Sequence, residues 1–304
     1  MPRVGFILIT PTPAEFTGPD PINPAVRGFV HGLRDLGYVN GKTVIIDIRS
    51  IESQLKRLEG IVADLVRLKT DVIVCSGSLT PRVAKLAPGV PIVMPGSVSS
   101  VGTDLIESYA RPGGNVTGIT MDAGPDLEAK RLSLLLEILP GARRVAYVGP
   151  NAQWESAYGG KFRSAARALN VAVINATAKV PDYSVAIERI RKENANAIFV
   201  SAASQNYGYR DQIGELLRTI GVPSTCAWGE LADAGCMMSF GVDVPYAFRS
   251  LAGYVDKILR GAKPGDLPIE QPTKFEFVVN LKTAKTLGLS VPQAILVRAD
   301  RVIE

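Results

Sequence analysis

The sequence predicts two α/β domains, each built on a doubly wound parallel sheet, because the two halves of the chain repeat one another. Residues 3–9 (RVGFILI) resemble residues 144–150 (RVAYVGP), and residues 70–78 (TDVIVCSGS) resemble residues 194–202 (NANAIFVSA). The tripeptide Gly-Val-Pro also leads a strand-like segment in each half. Such self-similarity indicates a duplicated structural unit. We expect a cleft between two similar domains, a common place for small molecules to bind.

Apolar runs alternate with amphipathic segments throughout the first half. A continuous apolar run such as 72–76 is typical of a parallel strand covered on both faces. Ile61 and Leu65 illustrate the helical spacing of apolar residues. The predicted elements are strand 4–10, helix 24–36, strand 43–49, helix 52–68, strand 72–76, helix 80–87 and strand 91–95.

The second half follows the same order after a Pro-Gly-Gly turn at 111–115, strand 116–121 and helix 126–139. Near Gly241 we expect the chain to cross back. The predicted domains are therefore 1–118 plus 243–268 and 119–242 plus 269–304. The elements are strand 145–148, helix 154–169, strand 171–176, helix 183–192, strand 197–201, helix 210–220, strands 224–228 and 237–241, helix 245–260, strand 275–280 and helix 281–287.

Composition and motifs exclude several classes of function. The net charge of +5 is spread among acids, without the basic block that nucleic-acid binding favours. His31 is the only histidine, and the cysteines lack metal or disulfide spacing, so zinc and serine-hydrolase chemistry lose support. Residues 37–43 (GYVNGKT) have three residues between the glycines where a phosphate loop has four. We predict no cofactor, no metal and no catalytic residue. We also expect no membrane span, because no apolar run approaches about 20 residues, and no secretory signal within the opening MPRVGFILIT.

The candidate ligand-binding residues lie where predicted strands end, because ligands of open parallel sheets bind outside the carboxyl ends of the strands. In the first half they are Thr10, Thr12, Ser76, Gly77, Ser78, Gly96 and Ser97. In the second half they are Asn151, Trp154, Gln205, Tyr207, Trp228 and Glu230, with Asp243 at the return crossover.

The segment 76–78 (Ser-Gly-Ser) is the most specific of these loops. Its hydroxyls, together with the unpaired N–H groups expected where a helix begins near Thr80, favour an anionic group such as a carboxylate. The rings of Trp154, Tyr207 and Trp228, which we expect to be exposed at equivalent strand ends, suggest a flat or apolar ligand body. Glu230 and Asp243 could receive an amine or a hydroxyl. Each of these residues also has a purely structural interpretation, as a helix cap, a turn or part of the core.

Several longer segments resemble a known family, the substrate-binding proteins of a class of bacterial ABC importers with the type I periplasmic binding protein fold. The resemblance covers nearly the whole chain. It is carried by segments 32–39 (GLRDLGYV) with 41–42 (GK), 65–74 (LVRLKTDVIV), 101–103 (VGT), 110–118 (ARPGGNVTG), 254–259 (YVDKIL), 271–277 (QPTKFEF) and 280–285 (NLKTAK).

The resemblance implies a protein that closes about a multi-strand hinge on a small ligand and delivers it to a membrane permease with its ATPase. Better-understood members take up aromatic amino acids. The family often has Asp-Pro before Val-Gly-Thr and Pro-Asp-Pro after the third strand of the second half, where this chain has Ser99-Ser100 and Ala202-Ala203-Ser204. The expected ligand is therefore an aromatic amino acid or an aromatic or short-chain carboxylate. The family also implies a periplasmic or lipid-anchored location outside the cytoplasm.

Two other classes of protein remain as alternatives. A cofactor-independent amino acid racemase would use one cysteine from each half, and Cys75 and Cys226 end corresponding strands. Neither cysteine has a basic neighbour in the sequence to lower its pKa. The effector domain of a transcriptional regulator is the second alternative, but we expect no DNA-binding domain, because no such segment precedes Met1.

Overall fold

A computed structural model describes residues 1–9, 12–96 and 105–304. The chain forms two compact units. The first comprises Met1–Asp122 and Val244–Lys274, and the second comprises Ala123–Asp243 and Phe275–Glu304. The chain therefore passes between the units three times, at points slightly later in the sequence than those expected above.

The described part of the first unit contains a five-stranded parallel sheet with the order β2-β1-β3-β4-β5. The strands are β1 (Arg3–Leu8), β2 (Ile45–Ser50), β3 (Val72–Cys75), β4 (Ile92–Pro95) and β5 (Val116–Ile119). The helices between them are α1 (Pro13–Phe16), α2 (Pro24–Asp35), α3 (Leu58–Arg67) and α4 (Thr80–Leu86), with a 3-10 turn at Leu55–Arg57.

The second unit contains a seven-stranded sheet with the order β12-β11-β10-β9-β8-β6-β7, in which only β10 and β11 pair antiparallel. Its strands are β6 (Arg144–Gly149), β7 (Ala172–Thr177), β8 (Ala197–Val200), β9 (Ser224–Cys226), β10 (Met238–Val242), β11 (Phe275–Asn280) and β12 (Arg301–Ile303). The remaining helices, in chain order, are α5 (Asp126–Ile138), α6 (Asn151–Glu155), α7 (Ala157–Ala168), α8 (Ser184–Lys192), α9 (Ser204–Gly208), α10 (Arg210–Ile220), α11 (Gly229–Asp233), α12 (Val244–Leu259) of the first unit, α13 (Leu281–Thr286) and α14 (Gln293–Leu296).

The helices cover both faces of the first sheet. Val4 and Phe6 of β1 pack into one apolar core, and Ile7 of the same strand packs into another, which is the alternation that a two-faced sheet requires. Helices α2 and α12 pack with their backbones close together. A Cβ atom on Gly28 would lie only 2.3 Å from the carbonyl oxygen of Pro245. Glycine is needed there for the two backbones to approach.

Two predicted helices differ from the observed ones. The segment 52–68 becomes helical only at Leu58, after the 3-10 turn, since Glu52 and Ser53 have positive φ angles of 47° and 60°. The segment 154–169 belongs to two helices, α6 and α7, that are separated at Ser156. The backbone of Ser156 is extended, and its hydroxyl caps α7 by accepting the N–H of Tyr158 at 3.2 Å.

Candidate functional site

The loop after β3 presents two neighbouring hydroxyls. The oxygens of Ser76 and Ser78 lie 3.4 Å apart, and Ser78 is exposed. The N–H groups of Leu79 and Thr80 both donate to the carbonyl of Ser76, at 2.8 and 3.2 Å. The expectation of unpaired N–H groups at this helix start is therefore wrong for these two amides. Hydroxyls are what this loop can offer a ligand.

The loops after β3 and β4 touch through their backbones. The N–H of Gly77 donates to the carbonyl of Pro95 at 3.1 Å, and a Cβ atom on Gly96 would lie 2.4 Å from the Cα atom of Gly77. Gly96 is itself held by β5, donating to the carbonyl of Ile119 at 3.0 Å. The structure thus brings Gly77 and Gly96 together, as expected if both loops serve one site.

Thr12 has a structural role in addition to any contact with ligand. Its N–H and its hydroxyl both donate to Oε2 of Glu15, at 2.7 and 3.1 Å, and so cap helix α1. The other two candidates of this unit, Thr10 and Ser97, lie outside the described residues, as does the Ser99-Ser100 departure.

Trp154 lies at the carboxyl end of β6 but packs largely against the core of its own unit. Its ring meets that of Tyr147 edge-on at 5.2 Å, and the guanidinium of Arg163 lies over it at 4.4 Å. Arg163 also donates to the carbonyl of Trp154 at 2.6 Å. These contacts fix the half-buried side chain of Trp154, whereas Asn151 of the same short helix is exposed.

Two more rings meet at the ends of β8 and β9. Tyr207 of α9 contacts Trp228 edge-on at 5.4 Å. Trp228 is buried by this packing, so the expectation of an exposed ring is wrong for Trp228. The hydroxyl of Tyr207 is buried without a hydrogen-bond partner among the described residues, and burial raises its pKa well above the usual value. Gln205, on the same helix, is exposed.

Of the two acidic residues among the predicted site residues, Glu230 is the buried one. It follows Trp228 by two positions, is only 8% exposed, and its Oε1 has no hydrogen-bond partner among the described residues. Burial raises the pKa of Glu230 to about 7, with further increases from the carboxylates of Glu276 and Asp233. Asp243 is half-buried where β10 ends.

Sequence reasoning gave too little weight to Asn206, which anchors the loop carrying Gln205 and Tyr207. Its amide nitrogen donates to the carbonyl of Ser201 at 3.0 Å, and its amide oxygen accepts from the hydroxyl of Tyr183 at 3.1 Å. Asn206 is fully buried. Its polar surroundings in the sequence do not distinguish it from Gln205, and only its tertiary partners identify Asn206 as a structural residue.

A buried ion pair was missed altogether. Glu128 and Arg131 of α5 are 1% and 0% exposed, and their nearest charged atoms lie 2.7 Å apart without hydrogen-bond geometry. The guanidinium also lies over the ring of Phe199 at 4.7 Å. The only signal in the sequence was two charges among the apolar positions of a helix that also buries Leu132 and Leu135.

The cysteines are poorly suited to covalent or acid–base chemistry. Cys75 and Cys226 are fully buried, and burial raises the pKa of the Cys75 thiol to about 12 and that of Cys226 well above its usual value. The Cys75 sulfur contacts the hydroxyl of Thr80 at 3.6 Å. A thiol must lose its proton to act as a base or nucleophile, so these environments oppose the racemase interpretation.

The described residues offer no other obvious chemical centre. They contain no group of three or more His, Cys, Asp and Glu side chains arranged to hold a metal ion. His31 pairs on the surface with Asp20, with 2.9 Å between Nε2 and Oδ1. None of the helices in the described ranges is long and apolar enough to cross a membrane.

The two α/β units with mainly parallel sheets have the type I periplasmic binding protein fold. The family model described as "ABC transporter substrate binding protein" matches residues 15–303. The chain therefore belongs to the ABC transporter substrate-binding proteins. This confirms the resemblance and the fold class drawn from the sequence.

Similar proteins are known from several bacteria. A tyrosine-binding protein of Clostridioides difficile is 20% identical over 281 residues, which cover 88% of this chain and 77% of that protein. The ABC domain from Streptococcus pneumoniae in complex with L-Trp has a TM-score of 0.81 at 20% identity, with 99% of both chains covered. A conserved domain protein from Vibrio cholerae has a TM-score of 0.80 at 24% identity, again over 99% of both chains. At these identities the structures show a shared fold.

Proposed function

We propose that this protein is the extracytoplasmic binding component of an ABC importer, which closes on a small aromatic ligand with an acidic group and delivers it to a permease and its ATPase. The observation that carries the proposal is the family match over almost the whole chain, combined with hydroxyls after β3 and rings after β6, β8 and β9. The ligand class is an aromatic amino acid or an aromatic carboxylate. A periplasmic or lipid-anchored location follows from this role.

The two units offer different kinds of side chain at the carboxyl ends of their strands. The hydroxyls of Ser76 and Ser78 suit a carboxylate, since hydrogen bonds to a charged acceptor are stronger than those to a neutral one. The edges and faces of Trp154, Tyr207 and Trp228 suit an aromatic body. Ligand-dependent closure, which the family implies, requires a higher affinity for the closed state than for the open state, because a ligand shifts an equilibrium only by that difference.

The protein acts without altering its ligand. The raised pKa values of Cys75 and Cys226 support this proposal, because a racemase needs at least one thiolate near neutral pH. Proton exchange at the α carbon of tyrosine in deuterated water, followed by NMR, tests it directly. Exchange that Cys75→Ser abolishes would establish the enzyme in its place.

Calorimetry with aromatic amino acids and aromatic carboxylic acids tests the binding function. We expect at least one of these compounds to bind, and Ser78→Ala to weaken that binding by about tenfold, the effect of one charge-assisted hydrogen bond. Ser250→Ala is the matched control, since the hydroxyl of Ser250 donates to the carbonyl of Tyr246 within its own helix. X-ray scattering with and without the bound compound tests closure. No binding across the whole panel, together with unchanged scattering, would refute the proposal.

A further inference from the structure

The buried pair of Glu128 and Arg131 is poorly satisfied by hydrogen bonds. Oε2 of Glu128 and all three guanidinium nitrogens of Arg131 have no hydrogen-bond partner among the described residues. Removing charged groups from water is unfavourable, and mutual attraction compensates for it only when further hydrogen bonds complete the pair. Apolar side chains of similar volume often serve a core equally well. Stability alone therefore does not account for these two charges.

Glu128 lies in the first turn of α5, beside the residues that follow β8. Burial raises the pKa of its carboxyl group, whereas Arg131 and then the backbone N–H of Ala202, which acts as a hydrogen-bond donor, lower it. Ala202 is the second residue after β8, which ends at Val200. The carboxylate of Glu128 therefore holds the start of the segment 201–207, which leads from β8 into helix α9.

Arg131 restrains the carboxylate of Glu128. Its Nη2 lies 2.7 Å from Oε2 of Glu128, and its guanidinium lies over the ring of Phe199 at 4.7 Å. Phe199 belongs to β8 and precedes Ala202 by three positions. Both side chains of the pair are at most 1% exposed, so the close-packed core leaves them little freedom to rotate. The pair thus connects α5 to β8 and to the start of the segment that follows it.

The end of this segment is bound to its start by Asn206. The amide nitrogen of Asn206 donates to the carbonyl of Ser201 at 3.0 Å. Gln205 and Tyr207, two of the candidate ligand-binding residues, stand on either side of Asn206 in the sequence. Because the start and the end of the segment are bound together, a displacement at Ala202 would also displace these two residues.

We propose that Glu128 and Arg131 are positioning residues, which hold the segment 201–207 so that Gln205 and Tyr207 meet the ligand in a fixed arrangement. This inference rests on the proposed function and adds to it two residues that do not touch the ligand, since both side chains are buried. A displacement of about 1 Å is enough to weaken contacts that depend on exact placement. A small movement of the segment should therefore reduce affinity.

Two variants separate positioning from stability, because they should change the two properties in opposite directions. Glu128→Leu combined with Arg131→Met removes both buried charges, so it should be the more stable variant, but it leaves the N–H of Ala202 without its acceptor. Glu128→Gln leaves Arg131 without its counter-charge and should be the less stable variant. The side-chain carbonyl of Gln can still accept from Ala202. Urea unfolding followed by circular dichroism ranks the two stabilities.

Amide hydrogen exchange of the ligand-free protein reports on the segment itself. At residues 201–207 we expect the double variant to exchange about tenfold faster than the native protein, and Glu128→Gln to stay within about threefold of it. Exchange in β3 of the first unit should not change in either variant. Calorimetry uses L-tyrosine, L-tryptophan, L-phenylalanine and 3-phenylpropionate. The double variant should bind whichever of these the native protein binds about tenfold more weakly, and Glu128→Gln should again stay within about threefold.

Leu134→Ala is the control for loss of stability alone. Leu134 is buried in the same helix, and its truncation removes packing without removing a hydrogen-bond acceptor. It should lower the urea midpoint while leaving affinity, and exchange at the segment, within about threefold of the native values.

The possible failures of the inference and of the proposed function are distinct. Native exchange or native affinity in the double variant would overturn the inference and leave the proposed function standing. Affinity that follows stability across the three variants would do the same, because the pair would then have only a structural role. Failure of the native protein to bind any of the four compounds would overturn both.

Discussion

The ring of Tyr207 meets the ring of Trp228 edge-on, with centroids 5.4 Å apart and an interplanar angle of 81°. The two residues follow neighbouring strands, β8 and β9, so their contact fixes one loop against the next. Edge-to-face pairs contribute about 0.5–1.5 kcal/mol beyond the burial of their area. The hydroxyl of Tyr207 has no hydrogen-bond partner among the described residues, so the ring provides the stabilising contact.

Tyr207→Phe should therefore leave the free energy of unfolding of the ligand-free protein within about 0.5 kcal/mol of the native value or raise it, because it removes a buried hydroxyl that forms no hydrogen bond. Trp228→Leu should lower it by about 2–3 kcal/mol through lost packing. Urea unfolding followed by circular dichroism measures both variants. A loss of more than about 1 kcal/mol in Tyr207→Phe would mean that the hydroxyl has a partner.

The sheets could be predicted from the sequence because their central strands are apolar on both faces. Every residue of β3 and β8 is buried, which a continuous apolar run already indicates. The residue at which α3 begins could not be predicted, because the positive φ angles of Glu52 and Ser53 depend on the fold around them. Neither residue type is glycine, and nothing local forbids a helix there.

The sequence predicted where the candidate residues lie in the fold, but it did not predict their environments. The carboxyl-end rule identified Ser76, Gly77 and Gly96, and the two loops that hold these residues are in contact. It could not reveal that Trp154 packs largely into the core, since an aromatic residue at a strand end has the same pattern in either case. Nor could it reveal the state of Glu230, because burial and nearby carboxylates are tertiary properties.

The buried pair of Glu128 and Arg131 makes a prediction about stability. Glu128→Gln leaves the guanidinium buried without its counter-charge, which costs about 3–5 kcal/mol. Asp64→Asn is the matched control, because Asp64 and Arg67 form an ion pair of the same i, i+3 spacing on the surface, where such pairs contribute about 0–1 kcal/mol. Chemical unfolding compares the two. Equal, small losses in both variants would show that Arg131 does not need Glu128.

Replacing both members of that pair gives an independent check. Glu128→Leu combined with Arg131→Met removes both buried charges, and apolar replacements of buried pairs are often neutral or stabilising. The double variant should therefore be more stable than Glu128→Gln alone. If it is the less stable of the two, packing of the guanidinium on Phe199 dominates over charge.

The three thiols should resist modification in the folded protein. Cys75, Cys226 and Cys236 are buried, and a pKa of about 12 leaves on the order of one Cys75 thiol in ten thousand ionised at pH 8. Ellman's reagent at pH 8 should react with none of them over minutes, and with all three after unfolding in guanidinium. Fast reaction of Cys75 or Cys226 in the native state would contradict the burial and reopen the enzymatic alternative.

Gly96 and Gly89 provide a matched pair of glycine substitutions. In Gly96→Ala the new Cβ would lie 2.4 Å from the Cα atom of Gly77, so the backbone of one loop must move, at a cost of about 1–3 kcal/mol. Gly89→Ala meets no atom within 4 Å and has no left-handed φ, so it should be neutral or slightly stabilising.

The displaced loop should also be visible locally. If the contact between Gly77 and Gly96 holds the hydroxyls of Ser76 and Ser78 in place, Gly96→Ala should increase amide hydrogen exchange at Gly77, whose N–H donates to Pro95. It should also weaken ligand binding, because a shift of about 1 Å is enough to misplace the donors. Unchanged exchange and affinity, with only a lower Tm, would mean that the two loops support the sheet and not the ligand.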